Sequence, residues 1–296
     1  MQEELFEALH RGVDILDSEP EMATYLYTYG KMHQAKLKYA FEHLPKMFLM
    51  LPKINIVDYG CGQAVGTMCY ADYLHSNGYT QQVKTITLIE PSEICLKRAA
   101  QHASVFFPDA EIKTVNKYFD ALDEDDIYCG ENVPTLHILS NVLDILSFDL
   151  ERFSDTVKQS LKGYNYNQFV CVGPYFSDFA RDSRMDDFLE RMGGYEIFSK
   201  TLEQRKLDPN KDWTCKVSMT LVSIREALTP EEKVRFSQEG RLSKSGKSYL
   251  YFEQARREDG TLVSIVTFRL ITTTSPTQIE WLGESADGKT TFYKVV

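Results

Sequence analysis

The sequence predicts an α/β protein built on a doubly wound, seven-stranded, mostly parallel sheet that ends in an antiparallel hairpin. N-terminal helices precede the sheet, and a small strand-rich unit follows it. Three observations predict this. Short, near-continuous apolar runs alternate with helical patterns, as central parallel strands covered on both faces require. The first run ends directly in a glycine-rich turn, Gly60-Cys61-Gly62. Two longer strand-like segments, with no helical pattern between them, then close the series.

The first fifty residues read as helical. Leu5, Leu9, Val13 and Leu16 recur at helical spacing, and a second helix begins near Pro20 and stops before Pro45. Residues 54–58 form the first strand, and a helix resumes at Val65. Residues 85–90 form a second strand, with a helix from Ser92 to His102. Strands follow at 111–116 and 135–140, then a helix after Phe148, a fifth strand at 168–173 ended by Pro174, and a helix around 176–192. Residues 195–202 and 216–224 make the hairpin, joined by the polar loop 207–212. Thr229-Pro230-Glu231-Glu232 is a helix start, with threonine as N-cap and acids near the positive dipole end. Strands at 248–254, 261–272, 278–282 and 291–295 complete the chain, with turn signals at Asp259-Gly260 and Asp287-Gly288. The expected organisation is a helical cap over 1–50, the main α/β domain over 51–225 and a small α+β unit over 226–296.

With 296 residues, the chain has enough length for such a core and an appendage. The net charge of −10 repels phosphate backbones on average, which argues against a nucleic-acid partner. The start Met1-Gln2-Glu3-Glu4 lacks the basic and apolar regions of a signal peptide, and no apolar run reaches membrane-spanning length. Six dispersed cysteines with no Cys-x-x-Cys pair give no basis for a metal site or a disulfide framework, so no metal is expected. A reducing, cytoplasmic setting fits best.

The informative string is Val57-Asp58-Tyr59-Gly60-Cys61-Gly62-Gln63-Ala64-Val65-Gly66-Thr67. A strand that turns sharply into a helix needs residues tolerant of unusual dihedrals, and Gly60 and Gly62 supply them. Asp58 can receive donors from the loop or from a cationic ligand. The third glycine of a dinucleotide fingerprint is Val65 here, and Gly66-Thr67 lacks the lysine of a phosphate-binding loop.

The Asp-x-Gly-x-Gly string resembles motif I of class I S-adenosylmethionine (SAM) dependent methyltransferases, with Ala64 where the family usually has a further glycine. The resemblance covers roughly residues 50–225 and implies a SAM-binding Rossmann-like domain, with S-adenosylhomocysteine (SAH) as product. It places the cofactor along Asp58, Gly60, Cys61 and Gly62, and at Glu90 and Pro91 after the second strand. There the acid would accept hydrogen bonds from both ribose hydroxyls. Asp120 resembles the acid that contacts the adenine amino group. Ser140, Asn141 and Val142 resemble the loop beside the methionine part and the transferred methyl. Read singly, Glu90 or Asp120 is better taken as a helix N-cap or a solvated loop acid; four strand ends in register carry the resemblance. The N-terminal helix with Tyr25-Leu26-Tyr27-Thr28-Tyr29-Gly30-Lys31-Met32 is loosely similar to Rsm-type methyltransferase-like proteins, but the four-cysteine cluster of that group is missing.

Methyl transfer from a sulfonium is an in-line displacement, so the protein mainly positions the acceptor. Candidates near the methyl are Asp144, Tyr175, Tyr29 and His33, with Lys31. Each has a plainer reading: Asp144 as an N-cap, Tyr175 as a cover over its strand, Tyr29 as core, and His33 and Lys31 as helix-surface residues. The loop at 140–143 is not of the Asn/Asp-Pro-Pro-Tyr kind, and no Pro-Cys pair follows the fourth strand. The expected activity is therefore methylation of a small molecule or protein side chain. The alternatives are a non-catalytic binding or assembly protein, and an RNA methyltransferase using Arg241, Lys244, Lys247, Arg256 and Arg257. The sequence leaves the acceptor and the oligomeric state open.

Overall fold

The computed structural model describes residue 9 and residues 15–127, 133–161, 165–174, 179–193, 195–203, 214–224, 249–256, 262–269, 279–284 and 291–295. The chain divides into two compact units, one of residues 1–162 with 166–222, the other of 163–165 with 223–296. The helix start at Thr229, both turn signals near the C-terminus and the cations Arg241, Lys244, Lys247 and Arg257 lie outside the described residues, as does Tyr175.

In the first unit, helix α1 (Glu19–Glu42) opens on the N-cap Ser18, whose side chain accepts from the Glu21 N–H, with proline in the first turn. The helical spacing through Leu16 does not hold at residues 15–17, which carry no helix. A short helix α2 (Lys46–Leu49) leads into β1 (Lys53–Tyr59), which is buried from its second residue onward. Then come α3 (Val65–Ser76), β2 (Gln82–Ile89), α4 (Glu93–Phe106), β3 (Glu111–Val115), α5 (Glu124–Ile127), β4 (Thr135–Ser140), α6 (Leu150–Ser160), β5 (Asn165–Pro174) and α7 (Phe179–Met192). β6 (Tyr195–Glu203) and β7 (Thr214–Ile224) follow.

The sheet runs β3-β2-β1-β4-β5-β7-β6. The recorded pairs among β1 to β5 are parallel, and β6 pairs with β7 antiparallel. This is the mostly parallel sheet with a terminal hairpin that the apolar runs predict. The order reverses between β1 and β4, so their carboxyl ends flank a topological switch point, where a doubly wound sheet binds its ligands.

Leu37, Phe41, Ile54, Ile56, Tyr70, Ile86, Leu88 and Ile138 belong to one buried cluster. Phe41 of α1 meets Tyr70 of α3 edge-on at 5.1 Å. A second aromatic group, Phe119, Phe148, Phe153 and Phe188, lies beside Tyr59 and His137. The second unit contains two antiparallel hairpins, β8 (Tyr249–Arg256) with β9 (Leu262–Arg269) and β10 (Ile279–Glu284) with β11 (Thr291–Val295). Among the described residues no helix is long and apolar enough to cross a membrane, and no His/Cys/Asp/Glu cluster could hold a metal ion.

A buried polar chain crosses the middle of the sheet. His137 Nε2 donates to Asn167 Oδ1 at 3.1 Å, so Nδ1 accepts from the Tyr59 hydroxyl at 3.0 Å. Burial brings the imidazole pKa down to about 4, against the partly opposing bond to Asn167. The unfolded chain takes up this proton below its ordinary histidine pKa, whereas the folded chain resists until about 4. The histidine's contribution to stability is therefore lost as pH falls through that window. Measured by urea unfolding, the stability advantage of wild type over His137→Gln should shrink by about 1.4 kcal/mol per pH unit across it. A pH-independent difference would contradict a neutral buried ring.

Candidate functional site

The loop after β1 is built from left-handed residues: Gly60 has φ 57°, Gly62 has φ 53° and Ala64 has φ 64°. A Cβ on Gly60 would stand 2.5 Å from Val142 Cγ1, so the backbone approaches the β4 loop in a way only glycine allows. A Cβ on Gly62 would meet nothing within 4 Å; that position faces open space. At Gly66 a Cβ would press on Ile138 at 2.9 Å and on both Asp58 oxygens, so this third glycine serves helix packing.

Asp58 is spent inside the protein. Its Oδ2 accepts from the Thr67 N–H at 3.1 Å and from the Thr67 hydroxyl at 2.8 Å, which fixes the first turn of α3. Burial lifts its pKa to about 6, partly offset by the Thr67 bonds. Asp58 therefore takes the loop-donor role and does not line the cavity described below. Cys61 is likewise absent from that lining: its side chain belongs to the buried core cluster, and burial holds its thiol well above the ordinary range.

Glu90 follows β2 directly. Its Oε2 accepts from the Gly62 N–H at 3.0 Å and its Oε1 from the Ser92 N–H at 2.9 Å, so one carboxylate ties the β1 loop to the start of α4. Burial raises its pKa against the pull of these two bonds. Each oxygen keeps lone-pair capacity for a further donor. Asp120, in the 3₁₀ turn Phe119–Ala121, accepts the Asp149 N–H on Oδ1 at 3.0 Å and so ties the β3 loop to the N-cap of α6.

Asn141 ends β4 with φ 58°, a left-handed conformation that asparagine tolerates. Its N–H donates to Val172 O at 2.6 Å, and its amide reaches Ser140, Lys36 and His33.

These loops enclose a cavity of about 190 Å³. Gly60, Gly62, Glu90, Pro91, Asp120, Ser140, Asn141 and Val142 all line it. The lining also includes residues that the sequence did not single out: Ile15, Leu16, Tyr25, Gln63, Cys95, Tyr118 and Phe119. Gln63 donates from Nε2 to Met22 O at 2.9 Å, while its buried Oε1 has no partner among the described residues. The Ser92 hydroxyl donates to Leu16 O and so holds the segment before α1 against the cavity. His33, Tyr29 and Asp144 stand outside the lining. His33 is buried, its pKa lowered to about 3 by burial and by the Lys36 charge, and Tyr29 packs beside it with ring centroids 6.0 Å apart.

A more open groove of about 730 Å³ lies at the start of α6 and along α7, lined by Asp149, Glu151, Arg184, Asp187, Glu190 and Arg191. Its acids and bases are mixed, and it holds none of the sequence-predicted site residues.

The loop geometry separates two glycine substitutions. Gly60→Ala should cost about 2–5 kcal/mol, from left-handed strain plus overpacking against Val142. Gly62→Ala carries only the strain, about 1–2 kcal/mol. Urea midpoints should fall in that order, and equal losses would contradict the close approach at Gly60.

No family model matches the chain, and no curated protein matches it in sequence. Solved structures do match. The DszA carbon methyltransferase shares 15% identity, with 75% of this chain and 67% of that one covered and a TM-score of 0.47. The N-methyltransferase NodS of Bradyrhizobium japonicum, solved with SAH, shares 13% identity over 73% and 97% of the two chains, at a TM-score of 0.41. A TehB-like SAM-dependent methyltransferase of Corynebacterium glutamicum shares 15% over 70% and 100%, at 0.40. At these identities and TM-scores each match is a likeness between structures and no more.

Proposed function

We propose that the protein is a SAM-dependent methyltransferase acting on a small molecule or a protein side chain. One observation carries the reading: the glycine loop, the Glu90 carboxylate, Asp120 and Asn141 follow four different parallel strands and face a single cavity.

The residues fit the cofactor. Gly62 leaves an open cradle, and the buried Gln63 oxygen awaits a donor. Glu90 and Asp120 give the cavity acidic walls suited to a cation. Glu90 would hold the ribose hydroxyls, Asp120 and Pro91 would border the adenine, and Ser140, Asn141 and Val142 would border the methionyl part. The cavity is smaller than the ~300–1,000 Å³ typical of pockets for drug-sized ligands. Ile15 and Tyr118 line it and are exposed, at 40% and 61%. Additional room for the cofactor would have to come from outward movement of these two exposed side chains.

When bound, the cofactor supplies an activated methyl group on a sulfonium. The protein's own share is to exclude water, orient the acceptor and balance charge. His33 is held neutral by burial and its two ring nitrogens are occupied, so it serves as a positioning residue and not as a base. A reducing compartment suits the buried free thiols of Cys61, Cys69, Cys95 and Cys171.

Calorimetric titration with SAM and SAH tests the reading. Wild-type protein should bind both, and Glu90→Ala should weaken both by about ten- to a hundredfold, since it removes charged hydrogen bonds. Unchanged affinity in the variant removes the ribose assignment; no binding by wild type removes the proposal.

A further inference from the structure

The sequence gives no reason to connect α1 with the β4 loop, yet four polar side chains link them in one line. Lys36 of α1 is only 2% exposed, and its Nζ donates to Asn141 Oδ1 at 3.1 Å. An ammonium can only donate, so it fixes which way the Asn141 amide faces. Nδ2 is then turned to the other side, where it donates to Ser140 Oγ at 2.9 Å and to His33 Nδ1 at 2.7 Å. His33 Nδ1 must therefore carry the lone pair, which puts the ring proton on Nε2. That nitrogen lies 3.2 Å from the Tyr25 hydroxyl, to which it donates. The reverse tautomer would set two donors against each other, either at His33 or at Lys36.

The line ends in a free proton. Tyr25 accepts from His33, so its own O–H has no acceptor there, and Tyr25 lines the cavity. Every donor in the chain points the same way, from a buried cation toward the cavity, and bonds aligned like this polarise one another. The end of such a chain favours an anionic oxygen. The side chains recorded for the cavity wall are acidic or neutral, so an anionic ligand group must find neutral donors. A sulfonium amino acid has one anionic group, its carboxylate.

We propose that Tyr25 donates its phenolic proton to the carboxylate of the cofactor's amino-acid end, oriented for this by the Lys36–Asn141–His33 chain. The assignment rests on the methyltransferase reading above and adds to it a residue that selects for that end of the ligand. His33 supports it: burial and the Lys36 charge bring its pKa down to about 3, so a single neutral tautomer is defined at neutral pH. Tyr25 stacks on His33 with ring centroids 5.8 Å apart and tilts against Tyr29 at 5.1 Å. Phenylalanine keeps both contacts and removes only the proton.

The test pairs Tyr25→Phe with a ligand that lacks the carboxylate. Affinity for SAM should fall about ten- to a hundredfold in the variant, and affinity for decarboxylated SAM should change by less than about threefold. Equal losses for the two ligands, or no loss for SAM, overturn the assignment alone. Wild-type protein that binds neither SAM nor SAH overturns the methyltransferase reading and this assignment with it. A second measurement needs no ligand. Nitrogen-15 spectra of the folded protein should show His33 protonated on Nε2; protonation on Nδ1 reverses the chain and overturns the assignment even where SAM binds.

Discussion

The site depends on one buried carboxylate. Glu90 accepts an N–H from the β1 loop on one oxygen and an N–H from the start of α4 on the other, and in doing so fixes the spacing of two neighbouring strand ends. Burying a carboxylate is costly unless it is hydrogen-bonded, and these two bonds offset only part of the cost, since its pKa is still raised. Asp58, one strand end away and bonded to Thr67 through Oδ2, is pushed the same way and feels the Glu90 charge as well. The Glu90 charge thus opposes the ionisation of Asp58. On the proposed function, a cationic ligand in the cavity that Glu90 lines would offset part of the cost of keeping that carboxylate charged.

The opposite wall is organised by charge of the other sign. Lys36 is buried behind Asn141, on the far side of the amide from His33. Asn141 can serve as the junction because its left-handed backbone turns the side chain out of β4 toward α1, while its N–H stays bonded to Val172 of β5. Acid under the glycine loop and base behind the β4 loop set a direction across the cavity. A ligand with a cationic centre and an anionic end matches that direction in only one orientation.

Much of this architecture was legible in the sequence because it rests on local rules. The apolar runs at 54–58, 85–90 and 135–140 mark strands buried on both faces, and Gly60 and Gly62 mark the turn whose dihedrals only glycine adopts freely. The residues after each strand end follow from the topology, which is why most of the assigned cofactor positions line one cavity. Ala64 shows the limit of a motif: the residue departs from the pattern, yet its backbone adopts a left-handed φ of 64° without a glycine. What could not be read depends on pairing across the chain. Asp58 could serve a ligand or its own loop, and only the Thr67 contacts decide. Tyr25 and Lys36 look like ordinary helix residues until α1 is laid against a loop more than a hundred positions away. Leu16 falls on the helical spacing, but residues 15–17 carry no helix and the Leu16 carbonyl accepts from the Ser92 hydroxyl, a tertiary contact that local propensity does not contain.

The chemistry follows from what these groups can and cannot exchange. Methyl transfer to an acceptor that still holds its proton tightly needs a base with a pKa near the working pH. His33 is far below that range and locked between two partners; the Cys95 thiol, in the cavity wall, is raised by burial. Tyr25, the other titratable wall residue tied to this chain, is moved away from ionisation by burial and by the Glu90 charge. Each of these groups is thus tuned to keep its proton state fixed while a ligand binds. On the proposed function, a cavity of that kind suits an acceptor that arrives with an available lone pair: a neutral amine, which sheds a proton to solvent after transfer, or a thiolate or stabilised carbanion, which arrives already deprotonated. Alignment of the two reactants would then carry the rate, and on the assignment above the hydrogen-bond chain from Lys36 to Tyr25 would orient one of them, the cofactor.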